Sequence, residues 1–309
     1  MIMKILFAGT PEFSVPSLQA LLDSKHTVCA VYTQPDRPAG RGRREQISPV
    51  KELALKHGLP VIQPLSLKNE EDLQVLKSFN ADLMVVVAYG MILTEAVLES
   101  PRLGCVNVHA SLLPRWRGAA PIQRSLIAGD EVTGVTIMRI VRKLDAGDML
   151  HKEEYVIQAQ DTASDLHDKL AELGAIGLVK VLPDLETGTI QAERQDESLV
   201  TYAEKLTKTE AVIDWTQDAK TLALKVRGLN SWPVAQTDYQ GNVLRIWQAE
   251  AILTETDLEP GVVSLVNKNM DVATGNGFLR LHEVQLPGGK RLSTQAFINA
   301  HEVNGVKLG

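Results

Sequence analysis

The sequence predicts an α/β fold, with a mostly parallel sheet in the first half of the chain, followed by a small β-barrel. Three observations carry this. Through residues 5–138, short apolar runs alternate with stretches of helical periodicity, as in successive βαβ units. Those runs are apolar at successive positions, as strands buried on both faces are. After residue 242 the pattern shortens to β-like runs separated by Gly, Asn and Pro turns.

In chain order, strands are expected at 5–8, 28–32, 83–88, 105–108 and 135–138, with helices at 15–24, 49–57, 69–80 and 121–128. Pro16 and Pro49 suit the first turn of a helix, where a missing N–H loses no partner, and Ser14 and Ser48 stand nearby as caps. The alternation implies a Rossmann-like sheet whose crossovers join parallel strands. Residues 162–186 read as a long helical region ending before Gly188, with Pro183 as a kink or stop. Residues 189–208 lose periodicity and turn polar, which marks a linker. Runs at 244–247, 261–266 and 278–284 then build the barrel, an economical way to remove exposed sheet edges. The expected domains are 1–188, which carries the site, and 209–309, joined by 189–208.

Composition fits two globular domains. A chain of 309 residues exceeds the usual size of a single core, and 44% hydrophobic with 23% charged residues is ordinary for a soluble protein. A formal net charge of −6 argues against a generally basic nucleic-acid binder, so any RNA contact has to come from a local patch. Cys29 and Cys105 lie in apolar runs far apart and are expected as buried free thiols, which suits the reducing cytoplasm. No apolar leader opens the chain and no run approaches the ~20 residues of a membrane helix, so a cytoplasmic protein without membrane contact is expected. The first strand is followed by Gly9-Thr10-Pro11-Glu12-Phe13, one glycine where a dinucleotide fingerprint needs three. Glu12 would also repel a pyrophosphate.

The most informative stretch is Asn107-Val108-His109-Ala110-Ser111-Leu112-Leu113-Pro114-Arg115-Trp116-Arg117-Gly118. Residues i and i+2 of a strand share a face, so Asn107 and His109 project into one space about 6 to 7 Å apart while Val108 turns to the core. Taken alone, such a pair reads better as a capped strand end than as a site. Its place at the carboxyl end of a buried parallel strand, where open α/β sheets hold their ligands, favours a site. Pro114 and Gly118 bracket a non-helical loop after it, and Leu144-Asp145-Ala146-Gly147-Asp148 supplies a second, acidic loop. A carboxylate there would orient the imidazole and favour its cationic form. Asp148 reads as a turn residue bonding its own loop. The seven histidines and two cysteines show no metal-ligand spacing, and no metal is expected.

These motifs, with Gln34-Pro35-Asp36-Arg37-Pro38-Ala39-Gly40-Arg41-Gly42, Ala203-Glu204-Lys205-Leu206, Ile213-Asp214-Trp215 and Val226-Arg227-Gly228-Leu229-Asn230-Ser231-Trp232-Pro233, resemble the folate-dependent formyltransferases over nearly the whole chain. The resemblance implies transfer of a formyl group from 10-formyltetrahydrofolate, a co-substrate, to the α-amino group of initiator methionyl-tRNA in translation initiation. It implies an OB-like form for the barrel. A relative acting on an amino sugar nucleotide is the alternative, and a non-catalytic RNA-binding module that kept the fold is a second. A monomer is expected. The chain departs from the family pattern at Arg139-Ile140-Val141-Arg142-Lys143 and Ala146, beside the acidic loop, and at Ser231.

An amine that adds to a formyl carbon leaves negative charge on its oxygen, and a proton must pass from the amine to the departing nitrogen. Asn107 can donate to that oxygen through its amide, and His109 as an imidazolium through a charge-assisted bond. Asp145 would keep His109 charged and relay the proton. The folate wall that the resemblance implies is the turn Tyr89-Gly90-Met91-Ile92 together with Ser111, Leu112, Leu113 and Pro114. Read from the residues alone, that turn is equally well core packing. Residues 36–51 are long for a strand-to-helix connection and carry Arg37, Arg41, Arg43, Arg44 and Lys51 against Asp36 and Glu45. The resemblance implies that these arginines meet the phosphates of the tRNA acceptor end, with Arg115 and Arg117 adding contact beside Trp116. The plainer readings are a solvated surface loop for 36–51 and, for Trp116, a structural anchor packed under its own loop.

Overall fold

The structure, a computed structural model, describes the backbone of residues 2–39 and 44–309, and the side chains of these residues other than 38, 39, 44 and 45. Two compact units emerge: Met1–Gly118, Val132–Val156 and His167–Tyr202 form one, and Ala119–Glu131, Ile157–Leu166 and Ala203–Gly309 the other.

The first unit is built on a seven-stranded sheet. Its spatial order is Val61–Ile62, Thr27–Tyr32, Lys4–Gly9, Leu83–Val87, Cys105–His109, Val132–Arg139, Met149–Val156. The first five run parallel, Val132–Arg139 runs antiparallel between its two neighbours, and Met149–Val156 resumes the common direction, so the mostly parallel sheet expected from the sequence is observed. The central strands are apolar at successive positions because both faces are covered: every residue of Leu83–Val87 is buried. The chain builds outward from Lys4–Gly9 on one side, then returns to Leu83–Val87 on the other. That reversal makes a topological switch point, where the carboxyl ends of neighbouring strands leave room for a ligand.

Several local expectations are refined. Ser48 accepts the Lys51 N–H and caps Pro49–Lys56, and Asn69 accepts the Asp72 N–H and caps Glu70–Ser78. Ser14 makes no cap bond; its hydroxyl donates to the Val87 carbonyl at 2.6 Å and ties the first helix to the sheet. Pro183 lies inside the helix Ala163–Thr187 and does not end it. The strand Met149–Val156 had no sequence signal, because it is an edge strand with partly exposed His151, Lys152 and Glu153 in place of an apolar run. Cys29 and Cys105 are free thiols, the second fully buried, and burial raises the Cys105 thiol to about 12.

The second unit carries an antiparallel sheet in the order Ala235–Tyr239, Asn242–Ile252, Phe278–Gln285, Asn269–Ala273, Val263–Val266, with Leu292–Ser293 also paired to Phe278–Gln285. Its core gathers Trp215, Leu222, Leu244, Ile246, Leu281 and Phe297. Asp218 accepts the Thr221 N–H and caps the helix Ala219–Gly228, whose Leu222 and Val226 enter that core.

Candidate active site

Asn107 and His109 stand at the carboxyl end of Cys105–His109, between a parallel neighbour and an antiparallel one. Alternation sends both to one face. Val108 turns to the other, where Gly174 of the long helix packs so closely that a Cβ there would meet Val108 Cγ1 at 2.6 Å.

His109 is 6% exposed. Its Nε2–H donates to the Trp116 carbonyl at 2.9 Å, and its Nδ1 lies 3.7 Å from Asp145 Oδ2, an ion-pair distance rather than a hydrogen bond. Both ring nitrogens thus face oxygen atoms. The same Asp145 oxygen accepts the Gly118 N–H at 2.9 Å. The half-buried Asn107 carboxamide makes no hydrogen bond to another described residue and is available to a ligand. The strand and the 145–148 turn therefore bring the three chemistry-bearing side chains together, while Asp148 lies exposed with its carbonyl accepting the Arg139 N–H.

The loop that closes over His109 is held from within. Thr136 Oγ1 donates to the Ser111 carbonyl at 2.7 Å and accepts the Leu113 N–H at 3.0 Å, and the Ser111 hydroxyl donates to the Arg115 carbonyl at 2.7 Å. Trp116, at φ 66°, donates its N–H to Thr201 Oγ1 at 2.9 Å. Arg115 is exposed and stacks its guanidinium 4.4 Å from the Trp116 ring centre.

Arg117 requires a correction. Expected to reach RNA phosphates, it is fully buried at 0% exposure, and a guanidinium so enclosed cannot meet a phosphate in solvent. Its Nε donates to Gln195 Oε1 and its Nη2 to Glu197 Oε1, each at 2.9 Å. Nη1 has no hydrogen-bond partner among the described residues. Glu197 also accepts from Lys143 Nζ. The Arg117 hydrogen bond, with help from Lys143, draws the Glu197 carboxyl from 4.5 down to about 2. Gln195 turns its Nε2 to the carbonyls of Asp145 and Gly147, both at 2.8 Å. Neither Gln195 nor Glu197 was expected here. They come from the polar stretch read as a linker, which has no periodicity to betray an inward-facing side chain.

The residues named for a folate wall separate into two sets. Tyr89 is buried within the core of Leu6, Tyr32 and Met84, Ser111 is buried, and Leu113 packs on Met138 and Met149. Gly90 and Ile92 are exposed, Ile92 at 75%, while Met91, Leu112 and Pro114 are half-buried, so these five carry the accessible surface. Gln34 and Thr10 donate to the Tyr89 carbonyl and fasten this turn to the neighbouring strand ends. Of the basic segment, Arg37 is exposed and opens a hairpin of Arg37–Ala39 with Arg44–Gln46. Arg41 and Arg43 and the Arg44 side chain lie outside the described residues. Lys51 is committed inward, paired with Asp36 and donating to Gln63 Oε1 at 2.7 Å, and its hydrogen bond holds the Asp36 carboxyl below the usual carboxylate range. Among the described residues no group of three or more His, Cys, Asp or Glu is placed to hold a metal, and no helix is long and apolar enough to cross a membrane.

Two family models match the chain, formyl transferase over residues 3–182 and formyl transferase, C-terminal domain, over 205–302. The methionyl-tRNA formyltransferase of Methylococcus capsulatus is 57% identical over 99% of this chain and 100% of its own length. That of Hydrogenovibrio crunogenus is 53% identical over 99% of each. Among solved structures, an N-formyltransferase from Helicobacter canadensis in complex with folinic acid and dTDP-3-aminofucose superposes with a TM-score of 0.67 over 94% of this chain and 100% of that one, at 15% identity. At that identity the likeness speaks for the fold.

Proposed function

The chain belongs to the formyl transferase family, and from that premise we propose that it carries a formyl group from 10-formyltetrahydrofolate to the α-amino group of initiator methionyl-tRNA, as a cytoplasmic monomer. The observation that carries the substrate is the end-to-end likeness to methionyl-tRNA formyltransferases at more than half of all positions.

The folate supplies an activated formyl carbon. Exposed Ile92, with Met91, Leu112 and Pro114, offers apolar surface for a flat ring at the carboxyl ends of the strands, which suits such a donor. Asn107 Nδ2 donates to the formyl oxygen as negative charge gathers there, and the single positive charge of a His109 imidazolium stabilises that oxygen from beside it. A donor of this kind is worth ~3 to 4 kcal/mol of barrier. Asp145, fixed by the Gly118 N–H, balances the imidazolium and takes part in moving the amine proton toward the departing nitrogen.

Arg37, Arg41, Arg43 and Arg44 supply the local positive patch that a chain of net charge −6 needs for RNA. Charge reversal at Arg41 and Arg43 is expected to raise KM for charged tRNA and to flatten the log–log salt dependence by about one unit per lost phosphate contact. An unchanged KM and slope would remove this loop from the interface. The function itself is tested by offering radiolabelled formyl donor to charged initiator tRNA and an amino sugar nucleotide side by side. Label is expected in the tRNA; label confined to the sugar overturns the substrate, and label in neither overturns the reaction. Gel filtration at the mass of one chain checks the monomer.

A further inference from the structure

We propose that Gln195 is a positioning residue for formyl transfer, clamping the backbone of the turn from Asp145 to Gly147 so that the Asp145 carboxylate faces His109. The inference rests on the formyl-transfer reading above and names a part that the reaction needs but that touches no substrate.

The geometry points this way from three directions. First, the Gln195 side chain is 4% exposed, and its carboxamide is used at both ends. The Nε2 donates to the carbonyls of Asp145 and Gly147, two residues apart, and Oε1 accepts from Arg117 Nε. Second, the loop it grips needs holding. Asp145 has φ 45°, a left-handed conformation that few residues with a side chain adopt. Gly147 sits so tightly that a Cβ there would meet the Arg139 carbonyl oxygen at 1.9 Å. Third, the clamp is itself braced. Arg117 passes the contact to Glu197, and Glu197 returns it to Lys143, two residues before Asp145. The contacts close a ring, Lys143 to Glu197 to Arg117 to Gln195 to Asp145, which holds the acidic loop on both flanks. Burying Arg117 with Nη1 unpaired among the described residues is unfavourable, and a charge kept under that penalty calls for a role beyond packing. Displacing a catalytic group by ~1 Å costs on the order of 100-fold in rate.

Gln195→Glu preserves the side-chain length and the acceptor for Arg117 but replaces both N–H donors with an oxygen set against two carbonyls. In formyl transfer to charged initiator tRNA, kcat is expected to fall about tenfold or more while KM for each substrate stays within about twofold. In the Asp145→Asn background, followed in single turnover, the same change is expected to cost less than about twofold, since Gln195 acts through that carboxylate. An unchanged kcat, or an equal loss in both backgrounds, overturns the clamp. Should Gln195→Glu fail to fold, Glu197→Gln at the exposed end of the ring decides instead. A kcat lowered about threefold in the wild-type background but not in Asp145→Asn supports the clamp, and any other result overturns it. Asp145→Asn alone separates the two readings. Full activity in that variant removes the proposed chemistry and the clamp with it, whereas an impaired Asp145→Asn beside a fully active Gln195→Glu removes only the clamp.

Discussion

One oxygen of Asp145 serves two neighbours, lying 3.7 Å from His109 Nδ1 and accepting the Gly118 N–H at 2.9 Å. Its placement joins the strand end to the far side of the 110–118 loop, and this makes the loop part of the site rather than a cover. In the proposed mechanism Asn107 has a simpler task, to donate to an oxygen as charge grows there. Asn107→Ala is therefore expected to lower kcat about 100-fold with KM for both substrates little changed, as steady-state kinetics would show. Gly147→Ala is expected to be nearly inactive, because its Cβ would meet the Arg139 carbonyl at 1.9 Å and push the acidic loop away from His109. Near-normal activity in that variant would show that the loop tolerates displacement. Asn107, His109 and Asp145 were legible in the sequence because strand alternation and strand-end position are local properties. Arg117 was misjudged for the same reason: an arginine beside Trp116 in a loop carries no local mark of burial, and its partners Gln195 and Glu197 lie 78 and 80 residues away.

The elements follow from short-range signals where those signals are strong. Ser48 and Asn69 cap their helices through the N–H groups of Lys51 and Asp72. Asn69→Ala is expected to lower stability by about 1 kcal/mol in urea unfolding without changing formyl transfer, since the cap is remote from the chemistry. Ser14 reads as a cap in sequence, yet its hydroxyl goes to Val87, because a buried carbonyl across the sheet competes for it. The strand Met149–Val156 was invisible because it lies at the sheet edge and can carry charged residues, whereas Leu83–Val87, buried throughout, declared itself. Pro183 leaves the helix Ala163–Thr187 unbroken, so the breaker rule describes a cost and not a prohibition.

At the scale of the whole molecule, each unit carries an arginine–glutamate pair that ties together segments distant in sequence. Arg124 draws the Glu210 carboxyl down to about 2 in the second unit, as Arg117 does for Glu197 in the first. A carboxylate whose folded value lies below its ordinary 4.5 adds stability above that value, and the contribution fades as pH falls towards about 2. Glu210→Gln is therefore expected to melt below the wild type at neutral pH, with the gap narrowing as pH falls below about 4.5, as thermal melts across pH would show. A constant gap would mean that charge is not what the pair contributes. By itself the sequence determined the α/β first half, the β-rich second half and the family, and it singled out Asn107, His109 and Asp145 as candidates, because periodicity, turn residues and motif spacing act over a few residues. Only the tertiary structure decided that Arg117 turns inward, that Lys51 belongs to Asp36, and that Gln195 reaches 50 residues back to the Asp145 carbonyl. The physical reason is that a buried polar group takes whichever partner the packed fold brings within hydrogen-bond reach, and that pairing is written in no local pattern.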